Sequence, residues 1–179
     1  GGTESDNYAL KGYALRHKDK GRHIITSKIE HHGVLNTCKF LEKNGYNVTY
    51  LDVDEYGMVK LDMLKNAIKT DTILISIMMA NNEVGSIQEF SKIKGIIKDK
   101  KSKAYFHCDA VQAFGKIPLK PKKMGIDLMS MSAHKIHGLK GAGALFVNSS
   151  SRLLPSIVGG GQENGLVSGT EPMPAICAF

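Results

Sequence analysis

The chain has 179 residues, a net charge of +7 and a pI near 9.3, with 42% hydrophobic and 23% charged residues. That length supports one good core, the composition is ordinary for a soluble globular domain, and the absence of an apolar run of about 18 residues excludes a transmembrane helix. Three widely spaced cysteines, Cys38, Cys108 and Cys177, argue against a disulfide framework and for a reducing, cytoplasmic setting. Lysine clusters at 98–103 and 116–123 carry much of the charge. No aromatic residues interleave with them as a stacking platform would, so neither nucleic acid nor a membrane is an expected partner.

The opening Gly1-Gly2-Thr3-Glu4-Ser5-Asp6-Asn7 is polar, which argues against a signal peptide. It leads into a helical pattern with Tyr8, Leu10, Tyr13, Ala14 and Leu15 as apolar members. A Gly-Thr turn at a helix start offers free N–H groups, a hydroxyl and the positive end of the dipole to an anion. His23 to Lys28 reads as a buried strand, followed by Glu30, His31 and His32 and a helix from Val34 to Lys43 closed at Asn44-Gly45. A strand over 47–53, a turn at 54–57 and a short helix over 61–69 come next. The almost unbroken apolar run from Thr72 to Met79 suits a central parallel strand, and it ends at the mostly polar loop Ala80 to Gly85.

A helix from Phe90 to Lys100 precedes a strand over 104–108 that ends at Asp109, with Gln112 just beyond. Pro118 and Pro121 mark an irregular connection to the strand Asp127-Leu128-Met129-Ser130-Met131, which runs into Ser132-Ala133-His134-Lys135. A glycine-rich return, a strand over 144–147 and a loop-rich final stretch complete the chain. Strands alternating with helices predict a three-layer α/β fold with a mainly parallel central sheet. The chain starts without methionine and ends on the apolar Pro174 to Phe179, so it is expected to be a piece of something longer.

In such a sheet ligands bind outside the carboxyl ends of the strands. His31, Asn82, Asp109 and Lys135 each follow a strand, and Gly2-Thr3 heads a helix that could point to the same edge. Each residue has an ordinary reading alone: a capping histidine, a turn asparagine, a capping aspartate, a surface lysine. Together they fit pyridoxal 5'-phosphate, which needs a lysine for Schiff-base chemistry, an acid beside its pyridine nitrogen and an anion site for its phosphate.

Six stretches in order carry a resemblance: Gly1 to Asn7, Glu30-His31, Asn81 to Gly85, His107 to Gln112, Ser132 to Lys135, and Gly159 to Glu163 through Ser168-Gly169-Thr170. On these the chain resembles the large domain of a NifS/IscS-type cysteine desulfurase, within the class-V aminotransferase-like enzymes of type I aminotransferase-like fold. The resemblance implies that residues 1–179 are an incomplete cofactor-binding large domain without its small C-terminal domain. It implies conversion of L-cysteine to L-alanine, with sulfur passed to a protein persulfide for iron–sulfur cluster or thio-cofactor assembly. Lys135 and His31 would be the catalytic residues. Gly2, Thr3, Ser132 and His134 would bind the phosphate, Asp109 the pyridine nitrogen and Gln112 the ring hydroxyl. Asn82 would orient the substrate carboxylate. Thr170 would be lent to the phosphate site of a partner subunit, which implies a homodimer, and a sulfur-acceptor or scaffold protein would be a further partner.

The chain departs from the family pattern at several points. Asn164 and Val167 stand where arginines are common, and His137-Gly138-Leu139-Lys140-Gly141 replaces a Tyr-Gly-Pro-Lys-Gly stretch. Cys38, Cys108 and Cys177 match family core positions, none of them the mobile-loop cysteine that takes the sulfur. Two alternatives follow: a selenocysteine lyase or other class-V enzyme, and a truncated, catalytically inactive cofactor-binding fragment.

Overall fold

A computed structural model of the chain describes residues 1–149 and 151–179. Its centre is one sheet of β1 (His23–Ser27), β2 (Asn47–Leu51), β3 (Thr72–Ser76), β4 (Tyr105–Asp109), β5 (Leu128–Ser132) and β6 (Gly143–Val147). The spatial order is β2-β1-β3-β4-β5-β6. The first five strands are parallel and β6 runs antiparallel to β5. The expected mainly parallel α/β architecture is therefore the one observed. The expected 72–79 strand ends as a regular ladder at Ser76, but the N–H groups of Ile77 and Met79 still donate to the carbonyls of His107 and Asp109 at 3.1 and 3.0 Å.

Helices cover both faces. On one lie α1 (Gly2–Asn7), a π-helical turn (Tyr8–Gly12), α2 (Tyr13–Arg16) and α3 (His32–Lys43). Helical structure thus starts earlier than the apolar pattern suggests. The wider π turn buries Tyr8, Ala9 and Leu10 in succession and leaves Leu15 39% exposed, so Leu15 is not the inward residue expected. In α3, Val34, Cys38 and Leu41 recur at helical spacing and are fully buried against Ile24, Leu74 and Leu128. That helix stops at Gly45, whose φ of +82° a side chain would resist; its N–H reaches the Glu42 carbonyl at 3.0 Å.

The opposite face is covered by α4 (Leu61–Ala67) and α5 (Phe90–Asp99). Leu64, Phe90 and Ile93 pack there on Ile25, Ile75, Phe106 and Met129, with the Phe90 and Phe106 rings 4.9 Å apart. The chain then closes with α6 (Pro121–Met124), a 3-10 turn (Ala133–Ile136) after β5, a second one (Gln162–Gly165) and α7 (Met173–Cys177). Cys38 and Cys108 are buried thiols, whereas Cys177 is exposed on α7, against the expectation that all three sit in the core. No described helix is long and apolar enough to cross a membrane.

Candidate active site

A cleft of about 260 Å³ opens at the carboxyl edge of the sheet. It collects Gly2 and Thr3 from α1, His31 from the start of α3, and Asn82 from the loop after β3. Asp109 comes from the end of β4, Gln112 from the turn after it, and Ser132, His134 and Lys135 from the end of β5. The residues that follow strands come together because the parallel topology brings the strand exits to one edge, and α1 starts beside that edge. Only Thr170 of the anticipated residues lies elsewhere: it lines a separate concavity of about 500 Å³ beside Glu163, Asn164 and Ile176.

Local structure fixes the side chains. His31 caps α3, its Nδ1 accepting the Gly33 N–H at 3.0 Å, which leaves the proton of the neutral ring on Nε2. Asp109 is 4% exposed and accepts the Val111 N–H at 2.9 Å. Ser132 Oγ and His134 Nδ1 are 2.8 Å apart. Gln112 accepts from Lys116 Nζ at 2.9 Å, so its amide N–H groups are the part left for a ligand. The neighbouring Asn81 holds the Asn82 loop, donating to the Ile29 carbonyl and accepting from the Glu83 and Val84 N–H groups.

The α1 backbone comes close to the end of β5. A Cβ at Gly2 would stand 2.8 Å from Val111 Cγ2 and 3.4 Å from Ser132 Cβ, so only glycine lets the first turn reach the cleft. The N–H groups of that turn have no carbonyl of their own helix to bond. With the Thr3 and Ser132 hydroxyls and the His134 ring they make a set of donors suited to a phosphate.

Beneath the cleft lies a group that reading the sequence did not single out. Asp6, 1% exposed, also lines the cleft. Its spacing of four from the buried Leu10 puts it on the buried side of the helix, and that periodicity is the signal that could have found it. Burial, then the charge of Asp109, push its carboxyl well above the ordinary range, while a hydrogen bond to Ser130 opposes the shift. Glu30 is buried and pushed up to about 8 by burial, against hydrogen bonds from the Ser27 hydroxyl (2.6 Å) and the Met78 N–H (2.9 Å). Asp109 is raised too, chiefly by burial, with the Val111 N–H opposing. His107, fully buried, is pushed down to about 3 by burial and stays neutral. Its ring spans two strands, with Ser76 Oγ 2.8 Å from Nδ1 and Ser130 Oγ 3.0 Å from Nε2.

Comparison with known proteins agrees with this geometry. The family model described as aminotransferase class-V matches residues 1–175. The cysteine desulfurase IscS of Methanosarcina thermophila is 55% identical over 176 residues, covering 98% of this chain and 43% of the relative. The protein of that name from Clostridium botulinum (strain Kyoto / Type A2) is 52% identical over 176 residues, 98% of this chain and 44% of its own. Among solved structures, a NifS-like protein superposes with a TM-score of 0.95 at 46% identity, over 99% of this chain and 48% of that one. SspA in complex with cysteine gives 0.93 at 43%, over 99% and 51%. The chain thus spans less than half the length of these curated relatives.

Proposed function

The chain belongs to the class-V aminotransferase family, and from that premise we propose that residues 1–179 form the cofactor-binding large domain of a pyridoxal-phosphate-dependent cysteine desulfurase. The reaction would take L-cysteine to L-alanine and hand the sulfur to a protein thiol, feeding iron–sulfur cluster or thio-cofactor assembly. The observation that carries this reading is the single cleft that unites Lys135, His31, Asp109 and the donor set around Gly2. The residues fit the group. A lysine, a buried acid and a hydroxyl-rich anion site line one space, and the Gly2 contact is what a cradled phosphate requires of the backbone.

When bound, the cofactor supplies an electron-accepting ring that loosens the bonds to the substrate α-carbon. The protein side chains do the rest. Lys135 Nζ would anchor the group and then carry a proton to and from the α-carbon. Asp109 would hold the ring nitrogen in its protonated form. A cation placed there restores the ionised carboxylate that burial disfavours in the free chain. His31 would pack its ring on the cofactor, held in orientation by its cap bond, and Gln112 would donate to the ring hydroxyl. Thr3, Ser132, His134 and the first-turn N–H groups would bind the phosphate, and Asn82 would face the substrate carboxylate.

Thr170 lies outside the cleft, which suits the reading that it serves the phosphate site of a second copy in a homodimer. Cysteine as substrate is supported by the relatives' names and by the SspA structure solved with cysteine. Three free cysteines suit a cytoplasmic protein that delivers sulfur to an acceptor. The test is a reduction trap: incubate the chain with pyridoxal phosphate, reduce with borohydride and map the labelled peptide. Label is expected on Lys135 and is lost in Lys135→Ala. A folded chain that carries no label on Lys135 overturns the assignment.

A further inference from the structure

The order of the sheet reverses between β1 and β3. The chain leaves β1 through α3, on one face, to reach β2; it leaves β3 through α5, on the other face, to reach β4 on the opposite side. The two connections therefore diverge once past their strands, and a crevice opens between them. The backbone ladder joining these strands ends at the Thr26–Ser76 pair. Beyond it the Ile77 and Met79 N–H groups are held by β4 carbonyls. Among the described residues, no backbone–backbone hydrogen bond joins residues 28–31 to residues 77–87. Side chains make the bonds across the crevice instead.

Two of them cross it in opposite directions. From the β1 side, Glu30 Oε1 accepts the Met78 N–H at 2.9 Å and the Ser27 hydroxyl at 2.6 Å. From the β3 side, Asn81 Nδ2 donates to the Ile29 carbonyl at 2.8 Å and lies 3.3 Å from Met78 Sδ. Asn81 Oδ1 accepts the Glu83 and Val84 N–H groups, both at 2.9 Å, which fixes the orientation of the amide because only its oxygen can accept. The oxygen thus shapes the loop of Asn82, and the nitrogen ties that loop to the connection ahead of His31. Glu30 and Asn81 are 4% and 7% exposed, so water competes little for these bonds.

We propose that Asn81 is a positioning residue: with Glu30 it clamps the two diverging connections together and so sets the width of the crevice in which His31 and Asn82 meet a ligand. The proposal rests on the cofactor reading given above, in which those two residues face the ring and the substrate. The residues next to the clamp are the ones that line the cleft. His31 follows Glu30, Asn82 follows Asn81, and Met78, which gives its N–H to Glu30, lines the cleft as well. A ligand that meets both connections at once needs their separation fixed in advance, since a misplacement of about 1 Å can cost about 100-fold in rate.

The test uses two substitutions that keep the loop and cut the clamp. Asn81→Asp keeps the oxygen that the Glu83 and Val84 N–H groups need, and Asn81→Ser supplies an uncharged hydroxyl acceptor. The ionised Asp has no proton to give Ile29, and the Ser hydroxyl is too short to reach it. Amide hydrogen exchange on the cofactor-free chain should show Met78 exchanging faster by about fivefold or more in both variants, the worth of one lost hydrogen bond. Ile77 and Met79 should be unchanged, because β4 holds them. Pyridoxal phosphate should bind more weakly by about fivefold or more. Inorganic phosphate, followed by the Thr3 amide shift, should bind as in the parent, because its donors lie on α1 and at the end of β5. A residue that merely supported the fold would weaken both ligands together. Met78 exchange or pyridoxal phosphate affinity left at the parent's value, protection lost equally at Ile77, Met78 and Met79, or equal losses for the two ligands each overturns the proposal. The exchange measurement needs no cofactor, so the two readings fail separately. No label on Lys135 in the parent counts against the cofactor site alone, and unchanged Met78 exchange beside a labelled Lys135 counts against the clamp alone.

Discussion

The two faces of the sheet are built from the same strands and differ in chemistry. The face under α4 and α5 is apolar across its centre, with Ile25, Ile75, Ile77, Phe106, Cys108, Met129 and Met131, and polar at the ends of β1, where His23 and Ser27 are buried. The face under α1, α2 and α3 is apolar only in its lower half, where Ile24, Leu74 and Leu128 meet Leu10, Tyr13 and Leu41. Toward the carboxyl edge it turns polar, with Thr26, Ser76, His107, Asp109, Ser130 and Ser132 buried in one layer. One face is thus mainly a packing surface. The other trades stability for a preorganised polar floor under the cleft. A cofactor site in this architecture reaches one layer deeper than the residues that would touch the ligand.

The largest effect should come from damaging the packing face. Phe106→Ala removes a ring buried at 2% exposure against Phe90 and should lower stability by about 3–5 kcal/mol. A shift in the urea midpoint measures it. If the faces divide labour as argued, a chain held folded at low denaturant should still accept borohydride-fixed label on Lys135. A loss of stability under about 1 kcal/mol would mean that this face is not the packing surface described.

A second effect separates the faces by pH. Glu30 has its carboxyl raised from 4.5 to about 8. The folded chain therefore holds a proton that the unfolded chain has lost between those values. The stability it confers is fully present below about 4.5 and is lost as pH rises through about 8. The slope is at most about 1.4 kcal/mol per pH unit. Glu30→Gln should flatten it, making the variant gain on the parent as pH rises from 5 to 8. Parallel stability curves for parent and variant would show that Glu30 is ionised in the fold, and the polar floor would then be a different kind of layer.

Much of the edge was legible because parallel topology leaves little choice. A strand followed by His31, Asn82, Asp109 or Lys135 must deliver that residue to one side, and the structure gathers all four in one cleft. The floor was not legible. A strand buried on both faces reads as one apolar run, so Ser76 and Ser130 looked like small interruptions in it. Which face they point to depends on the helices that cover them. His107 drew notice only as part of a motif, since nothing in its sequence neighbourhood shows that Ser76 and Ser130 lie opposite it. The π turn was missed for a related reason: it is a backbone hydrogen-bond shift that no side-chain period announces. Thr170 could be placed by resemblance but not by pattern, because the segment around it is mostly loop.

The smallest effect supplies the control for the pH argument. Asp52 pairs with Lys28 at the mouth of β2, with side chains 43% and 58% exposed. The Lys28 hydrogen bond, and then its charge, hold the Asp52 carboxyl below its usual range. The sign is opposite to that of Glu30: the pair helps above the unfolded value of 3.8 and its help is lost as pH falls through the lower folded value. Because water and salt screen both partners, Asp52→Asn at neutral pH and physiological salt should leave the urea midpoint within replicate scatter. Below pH 4 parent and variant should stay indistinguishable. Two carboxyls in one chain would then respond to pH in opposite directions, one because it meets a cation in water and the other because it is sealed in a layer with other acids. A midpoint shift for Asp52→Asn as large as that for Phe106→Ala would break this contrast, since solvent exposure would no longer explain which polar groups matter.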